Sequence, residues 1–321
     1  MEIQTTETVT RKATPYDVTY DVFGIKTLFV NVFFIGDPGP GNPWVLVDAG
    51  LPGYANTIRQ EAEKLYGPSP DGGPCKPQAI VLTHGHGDHV GSLKTLLEEW
   101  GDVPVYAHRL EMPFLTGKSS YPPPDPAIGG GGMAYLSWVF PLGPIDISQH
   151  VRPIPDDGHI DDLPGWRAIH TPGHAPGHIS LFRDSDRTLI AGDAFITTNQ
   201  NALTAVATQA LEVQGPPAYF TINWDDARQS VKKLADLVPL TAGTGHGISI
   251  RGLDLTLELS RLVDNFDQRS IPSRGRYVKE PAITDENGIV SMPTPTSYHV
   301  ARGLALGAVI AAGLYFLLRR R

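Results

Sequence analysis

Thr83-His84-Gly85-His86-Gly87-Asp88-His89-Val90-Gly91 follows directly on the apolar run Ala79-Ile80-Val81-Leu82. That run reads as a short buried strand, so the polar stretch stands at a strand end. Three of the chain's eleven histidines and one aspartate fall within residues 84–89. Imidazole and carboxylate together are the donors that borderline divalent metals such as zinc prefer. The interleaved glycines let the backbone turn tightly enough for neighbouring side chains to converge. An incidental polar turn would account for any one of these residues, but not for the cluster. The stretch is read as a metal-binding loop.

The rest of the chain is compatible with an ordinary globular protein: 321 residues, 41% hydrophobic and 19% charged. That length suits one large domain with a tail. The 34 glycines and 29 prolines predict many turns and long shaped loops. Net charge is −8, unevenly spread: residues 302–321 hold four arginines and no acid, leaving 22 bases against 34 acids elsewhere. An acidic body argues against a nucleic-acid partner, which needs a positive surface. With Cys75 as the single cysteine, an intrachain disulfide or a multi-cysteine metal site is excluded. Residues 1–17 lack the apolar core of a signal peptide, which points to the cytoplasm or the cytoplasmic face of a membrane.

Along the chain, 18–36 is β-branched and aromatic with a glycine near its middle, and reads as a hairpin or two consecutive strands. The run 44–47 ends at Asp48, which either caps the next element or supports the histidine loop from behind. An amphipathic helix is predicted over 54–66, a strand at 79–82, a helix at 90–100 and a strand at 104–107. Strands follow at 166–170, 178–183, 188–191 and 237–241, with helices at 225–237 and 253–266. This is an α/β pattern with sites at strand ends. The long segment 117–144 carries Tyr121, Met133, Tyr135, Leu136, Trp138, Val139 and Phe140. It reads as a mobile apolar wall for a substrate, with Tyr121, Tyr135 and Trp138 as its candidates, or else as a surface excursion.

One loop rarely completes a metal site. Thr171-Pro172-Gly173-His174-Ala175-Pro176-Gly177-His178, Ala191-Gly192-Asp193 and Thr244-Gly245-His246 repeat one form: an apolar strand, small residues, then a metal-binding side chain. Taken with these, the chain resembles the metallo-β-lactamase-fold hydrolases. His84, His86, Asp88 and His89 match the family's His-x-His-x-Asp-His signature. His174, Asp193 and His246 stand in the order of its later ligand motifs, and Asp48 fits its early acidic residue. The resemblance covers roughly 18–250. It implies an αββα sandwich of two mixed sheets flanked by helices, with metals at one edge. It also implies that His84, His86 and His174 hold one metal, that Asp88, His89 and His246 hold a second, and that Asp193 bridges them. His178 is no ligand in that pattern and reads as a support.

What the resemblance implies chemically is a dinuclear hydrolase, most naturally with zinc, although the family includes iron and manganese members. Water bridging two cations ionises near neutral pH and can attack an acyl or phosphoryl centre, with Asp88 or Asp193 orienting it and handling its proton. Two-iron redox members usually carry glutamate where this chain has His86, which favours hydrolysis. A mononuclear-iron enzyme of the sulfur dioxygenase type and a non-catalytic metal scaffold are the alternatives. Small esters, lactones or thioesters are the expected substrates. Domain boundaries are expected at 1–266 for the catalytic part, 267–299 for an extended linker, and 300–321 for an apolar helix. Sixteen uncharged residues, 303–318, precede three arginines and read as a C-terminal membrane anchor. Oligomeric state is not legible.

Overall fold

The structure, a computed structural model, describes residues 14–69, 72–129, 131–200, 205, 208 and 210–294. Seven strands form the first sheet in sequence order: β1 (Thr14–Asp17), β2 (Val22–Thr27), β3 (Val30–Ile35), β4 (Val45–Val47), β5 (Ala79–Val81), β6 (Val105–Ala107) and β7 (Val151–Pro153). β1 to β4 pair antiparallel, and β4 to β7 pair parallel. The second sheet contains β8 (Trp166–His170), β9 (Ile179–Arg183), β10 (Thr188–Ile190), β11 (Thr241–Gly243) and β12 (Ile250–Arg251), ordered β12-β11-β10-β9-β8. Both sheets are therefore mixed.

The period of two along each strand explains the layering. Val45, Val47, Ala79 and Val81 point towards the second sheet, where they meet Ile179, Leu181 and Ile190. Leu46 and Ile80, on the opposite face, pack on Ile58, Ala62, Leu93, Leu96 and Leu97 of the Ala55–Tyr66 and Leu93–Trp100 helices. Phe182, Leu189 and Ala242 bury their outer face against Val231, Leu234, Leu255 and Leu259 of the Trp224–Asp236 and Gly252–Asp264 helices. Strands covered on both faces need apolar residues at every position, which is why 44–47 and 79–82 read as unbroken apolar runs. Each fully buried Leu, Ile or Val contributes about 1.5–3 kcal/mol. The architecture is the αββα sandwich that the resemblance implied.

Several local expectations are sharpened or corrected. Of the two readings of 18–36 the hairpin holds: β2 and β3 turn at Leu28-Phe29, with Leu28 at φ 71°. Gly24 lies inside β2, where the Tyr16 ring fills the space a side chain would take. The helix expected from Val90 starts at Leu93, after a turn in which the His89 and Val90 amides donate to the His86 carbonyl. Residues 237–240 form a turn, with Val238 at φ 49°, and the strand occupies Thr241–Gly243.

The reading of 267–299 as a loose linker is wrong for 267–294. This segment forms a Phe266–Ser270 helix and a β13 (Ile283–Asp285) to β14 (Gly288–Ser291) hairpin. Buried Tyr277 packs with Ile222 and Ala282 and donates to the Pro123 carbonyl at 2.7 Å. The Arg276 amide donates to Asp125. Partners 151 and 154 residues away leave no periodic signal in a Pro-rich stretch. Among the described residues no helix is long and apolar enough to cross a membrane. The apolar stretch 300–321, and 295–299 before it, lie outside the described residues.

Away from the histidine loops, His108 and His170 stack with ring centroids 4.0 Å apart. Burial and the facing His170 push His108 down to about 4 from 6.5, and burial lowers His170 too. A histidine whose folded pKa is depressed takes up its proton more readily when unfolded, so it withdraws stability as pH falls through that window. The melting temperature is expected to fall between pH 6.5 and 4, and His108→Phe, which preserves the stack, should flatten that fall. Melting curves of both proteins across the window check this; parallel curves would show that the pair contributes nothing to acid sensitivity.

Candidate metal centre

Five strand ends converge at one edge of the sandwich. Asp48 follows β4 and the 84–89 loop follows β5, which run parallel. β8 and β10 are both antiparallel to β9, and β11 is parallel to β10. Their carboxyl ends therefore emerge on one side, delivering His174, Asp193 and His246. His84, His86, His89, His174, Asp193 and His246 are buried, while the Asp88 side chain stays partly exposed.

The donor atoms form three overlapping trios, each within 4.8 Å: His84–His86–His174, His84–His89–Asp193 and Asp88–His89–His246. The Asp193 Oδ2 atom lies 3.1 Å from His246 Nε2, 3.4 Å from His174 Nε2 and 3.6 Å from His89 Nε2. His86 Nδ1 faces His174 Nε2 at 3.0 Å, and His246 Nε2 stands 3.7 Å from Asp88 Oδ2. The structure thus brings together all seven residues read from the sequence as a ligand set.

Their orientation is set from behind. Asp48, at φ 62°, accepts from the Thr83 amide at 2.8 Å, from the Thr83 hydroxyl at 2.7 Å and from His89 Nδ1 at 2.8 Å. His246 Nδ1 donates to the Phe29 carbonyl at 2.9 Å, so Nε2 of both rings is turned to the centre. Asn31 holds the His246 loop through Thr244 and Gly247 carbonyls at 2.7 and 3.0 Å. His178 faces away: its Nδ1 is 3.1 Å from the Thr171 carbonyl, and its Nε2 accepts from the Asp193 amide at 2.8 Å.

The electrostatics divide the centre. Burial, reinforced by neighbouring imidazoles, holds His84 well below the usual range. Burial takes His86 down to about 4 and keeps His174 low as well. These three are neutral, the form that ligates. Burial also opposes charge on His89 and His246, but Asp193 with Asp48 or Asp88 outweighs it and raises both. The same rings hold Asp193 well below the carboxylate range despite its burial.

A cation fits these residues. His84 Nε2, His89 Nε2, His174 Nδ1 and Asp193 Oδ1 are buried without a hydrogen-bond partner, and each such atom costs about 1–3 kcal/mol. The donors are nitrogen and oxygen throughout, and the carboxylates already draw positive charge onto His89 and His246. A divalent ion would satisfy both demands.

Of the residues expected in a substrate wall, Tyr121 is held inside. Its ring lies 4.6 Å from His86 and 4.0 Å from Phe114, and its hydroxyl accepts from the Gly85 amide at 2.9 Å. Tyr135 is half-buried on the Gly132–Leu136 helix, and the Trp138 side chain lies outside what is described. Other aromatics surround the centre, of which the sequence pointed only to Phe140. Phe220 is 4.8 Å from His86, Phe29 stacks on His246, and Phe140 contacts both phenylalanines. The buried Tyr219 phenol is pushed up by burial and by Asp88 and Asp193. Phe29, Tyr219 and Phe220 belong to no motif, so only proximity in the fold reveals them.

The profile of the metallo-beta-lactamase superfamily matches residues 25–246. The Bacillus subtilis (strain 168) protein named Probable metallo-hydrolase YflN is 45% identical over 259 residues, covering 81% of this chain and 96% of that one. Probable metallo-hydrolase YybB of the same organism is 31% identical over 221 residues, covering 69% and 82%. The solved metallo-beta-lactamase SMB-1, bound to 2-mercaptoethanesulfonate, superposes with a TM-score of 0.55 at 16% identity, covering 82% of this chain and 98% of that one. That likeness concerns the fold.

Removing the Asp48 carboxylate strands three buried donors. Asp48→Ala is expected to cost about 3–5 kcal/mol, part of it backbone strain at positive φ. Asp48→Asn, which tolerates that φ and keeps one acceptor, should cost less. Urea unfolding of both variants checks the order; equal losses would mean the hydrogen bonds contribute little.

Proposed function

Because the chain belongs to the metallo-β-lactamase superfamily, we propose that it is a hydrolase working with two divalent cations on small esters, lactones or thioesters. The observation that carries this reading is Asp193, placed between an all-imidazole trio and a trio containing Asp88. On it, His84, His86 and His174 hold one cation, Asp88, His89 and His246 hold the other, and Asp193 is shared. The nitrogen and oxygen donor set favours zinc.

When bound, the two cations supply a water of lowered pKa and neutralise charge gathering on the substrate oxygen. The protein's own residues divide the remaining work. Asp193 faces three imidazoles through Oδ2 and serves to fix the geometry. Asp88 is the partly exposed carboxylate, able to orient the attacking water and take its proton. Phe29, Phe140 and Phe220 form an apolar surround that excludes bulk water and accepts an apolar group of the substrate. Tyr219 offers a phenol from the same side.

The purified chain is expected to hold two metal ions by elemental analysis. His86→Ala and Asp193→Ala should lower both metal content and hydrolysis, the latter by at least about 10²-fold. A panel of esters, lactones and thioesters with graded acyl chains measures this and ranks the substrates. Undiminished hydrolysis by metal-stripped protein would overturn the reading.

From the apolar sequence 303–318 and its terminal arginines, we further propose attachment to a membrane through the C-terminal stretch. Fractionation of cells expressing the full chain, beside one truncated after Ser297, should place only the former with membranes. Equal solubility of the two would refute attachment.

A further inference from the structure

One buried carboxylate has no part in the scheme above. Glu111 ends the Arg109–Glu111 turn that follows β6, and it is fully buried. Its Oε2 accepts from the Gly85 amide at 2.9 Å and from the Tyr121 hydroxyl. Its Oε1 accepts from the Gly177 amide at 2.7 Å. Gly85 lies between His84 and His86, and Gly177 lies between His174 and His178. The two oxygens of this one side chain thus grip two loops that come from different sheets.

We propose that Glu111 is a positioning residue that sets the spacing of His84 and His86 against His174, and with it the grip on the first cation. The inference rests on the two-cation reading above. Burying an ionised carboxylate is costly, and an apolar side chain would serve if filling space were the only need. A carboxylate is the side chain that can accept from two backbone amides at once, one on each oxygen, without presenting a donor to either.

The glycines agree with this role. A Cβ at position 85 would stand 2.5 Å from the Tyr121 oxygen, and one at position 177 would stand 2.8 Å from Glu111 Cγ. Only glycine lets either loop settle on the carboxylate. Tyr121 extends the grip, because its ring packs on His86 while its hydroxyl is held by Glu111. The other trio is anchored elsewhere, His89 by Asp48 and His246 by the Phe29 carbonyl. Loss of Glu111 should therefore act on one cation and not on both.

The test uses Co(II) as probe with the full chain, in Asp88→Ala and Asp88→Ala/Glu111→Gln forms, alongside wild type. Glutamine keeps one acceptor oxygen but turns an amide donor towards the second loop. Equilibrium dialysis and visible absorption should show wild type taking two ions and Asp88→Ala retaining one. Addition of Glu111→Gln should weaken that remaining ion about 10–100-fold and shift its absorption bands. Tyr121→Phe should do so in the same direction with smaller size. Unchanged Co(II) affinity and bands in a folded Glu111→Gln chain would overturn the clamp. If that variant does not fold by circular dichroism, unchanged bands in Tyr121→Phe overturn it instead. A wild-type chain that takes up no Co(II) would overturn the two-cation reading itself, an outcome distinct from two ions bound equally by wild type and variant.

Discussion

The Asp193 carboxylate holds three imidazole nitrogens within 3.6 Å, from His246, His174 and His89. Two of those rings hang from the second sheet and one from the first, so the contact exists only when the sandwich is closed. Other features of the edge serve it. The His178 ring fixes the Asp193 amide, and Asp48 and the Phe29 carbonyl fix two of the facing imidazoles. In a dry site, such a cluster is stable only if every polar atom finds a partner or a counter-charge. His84 Nε2, His89 Nε2, His174 Nδ1 and Asp193 Oδ1 make no hydrogen bond within the protein, a deficit that a divalent cation would relieve.

The same cluster is chemically lopsided. His84, His86 and His174 are surrounded by one another and kept neutral by burial. His89 and His246 face carboxylates and are drawn towards charge. On the two-cation reading, a cation among the three neutral rings would have Asp193 as its one carboxylate, while one beside both Asp88 and Asp193 would be further neutralised. Around both, phenylalanines from the β2–β3 turn, the 117–144 segment and the stretch before the Trp224–Asp236 helix keep the dielectric low, which strengthens every charge interaction there.

The long segment 117–144 supports the centre at more than one point. Its beginning, at Tyr121, is drawn inward beneath His86, while its end, at Phe140, reaches the aromatic surround. The C-terminal arm packs on it through Asp125 and Pro123. Residues remote in sequence therefore brace the same edge of the sandwich.

The amino-acid sequence by itself determined the candidate ligand set and the fold class. The ligands are local: short apolar runs, small residues and a donor at each strand end, and 84–89 packs four of them into one loop. The order of strands and helices gives an α/β pattern, and the resemblance implies the two-sheet sandwich. Only the tertiary structure decided which residues serve that set. Glu111, Phe29, Phe220 and Tyr219 sit in no motif, and the packing of 267–294 follows no period. Their roles come from contacts across many tens of residues, and a contact of that kind leaves no trace in spacing or composition. Ligand positions can be read along one strand end; the partners that orient them are set by which strand ends the two sheets bring face to face.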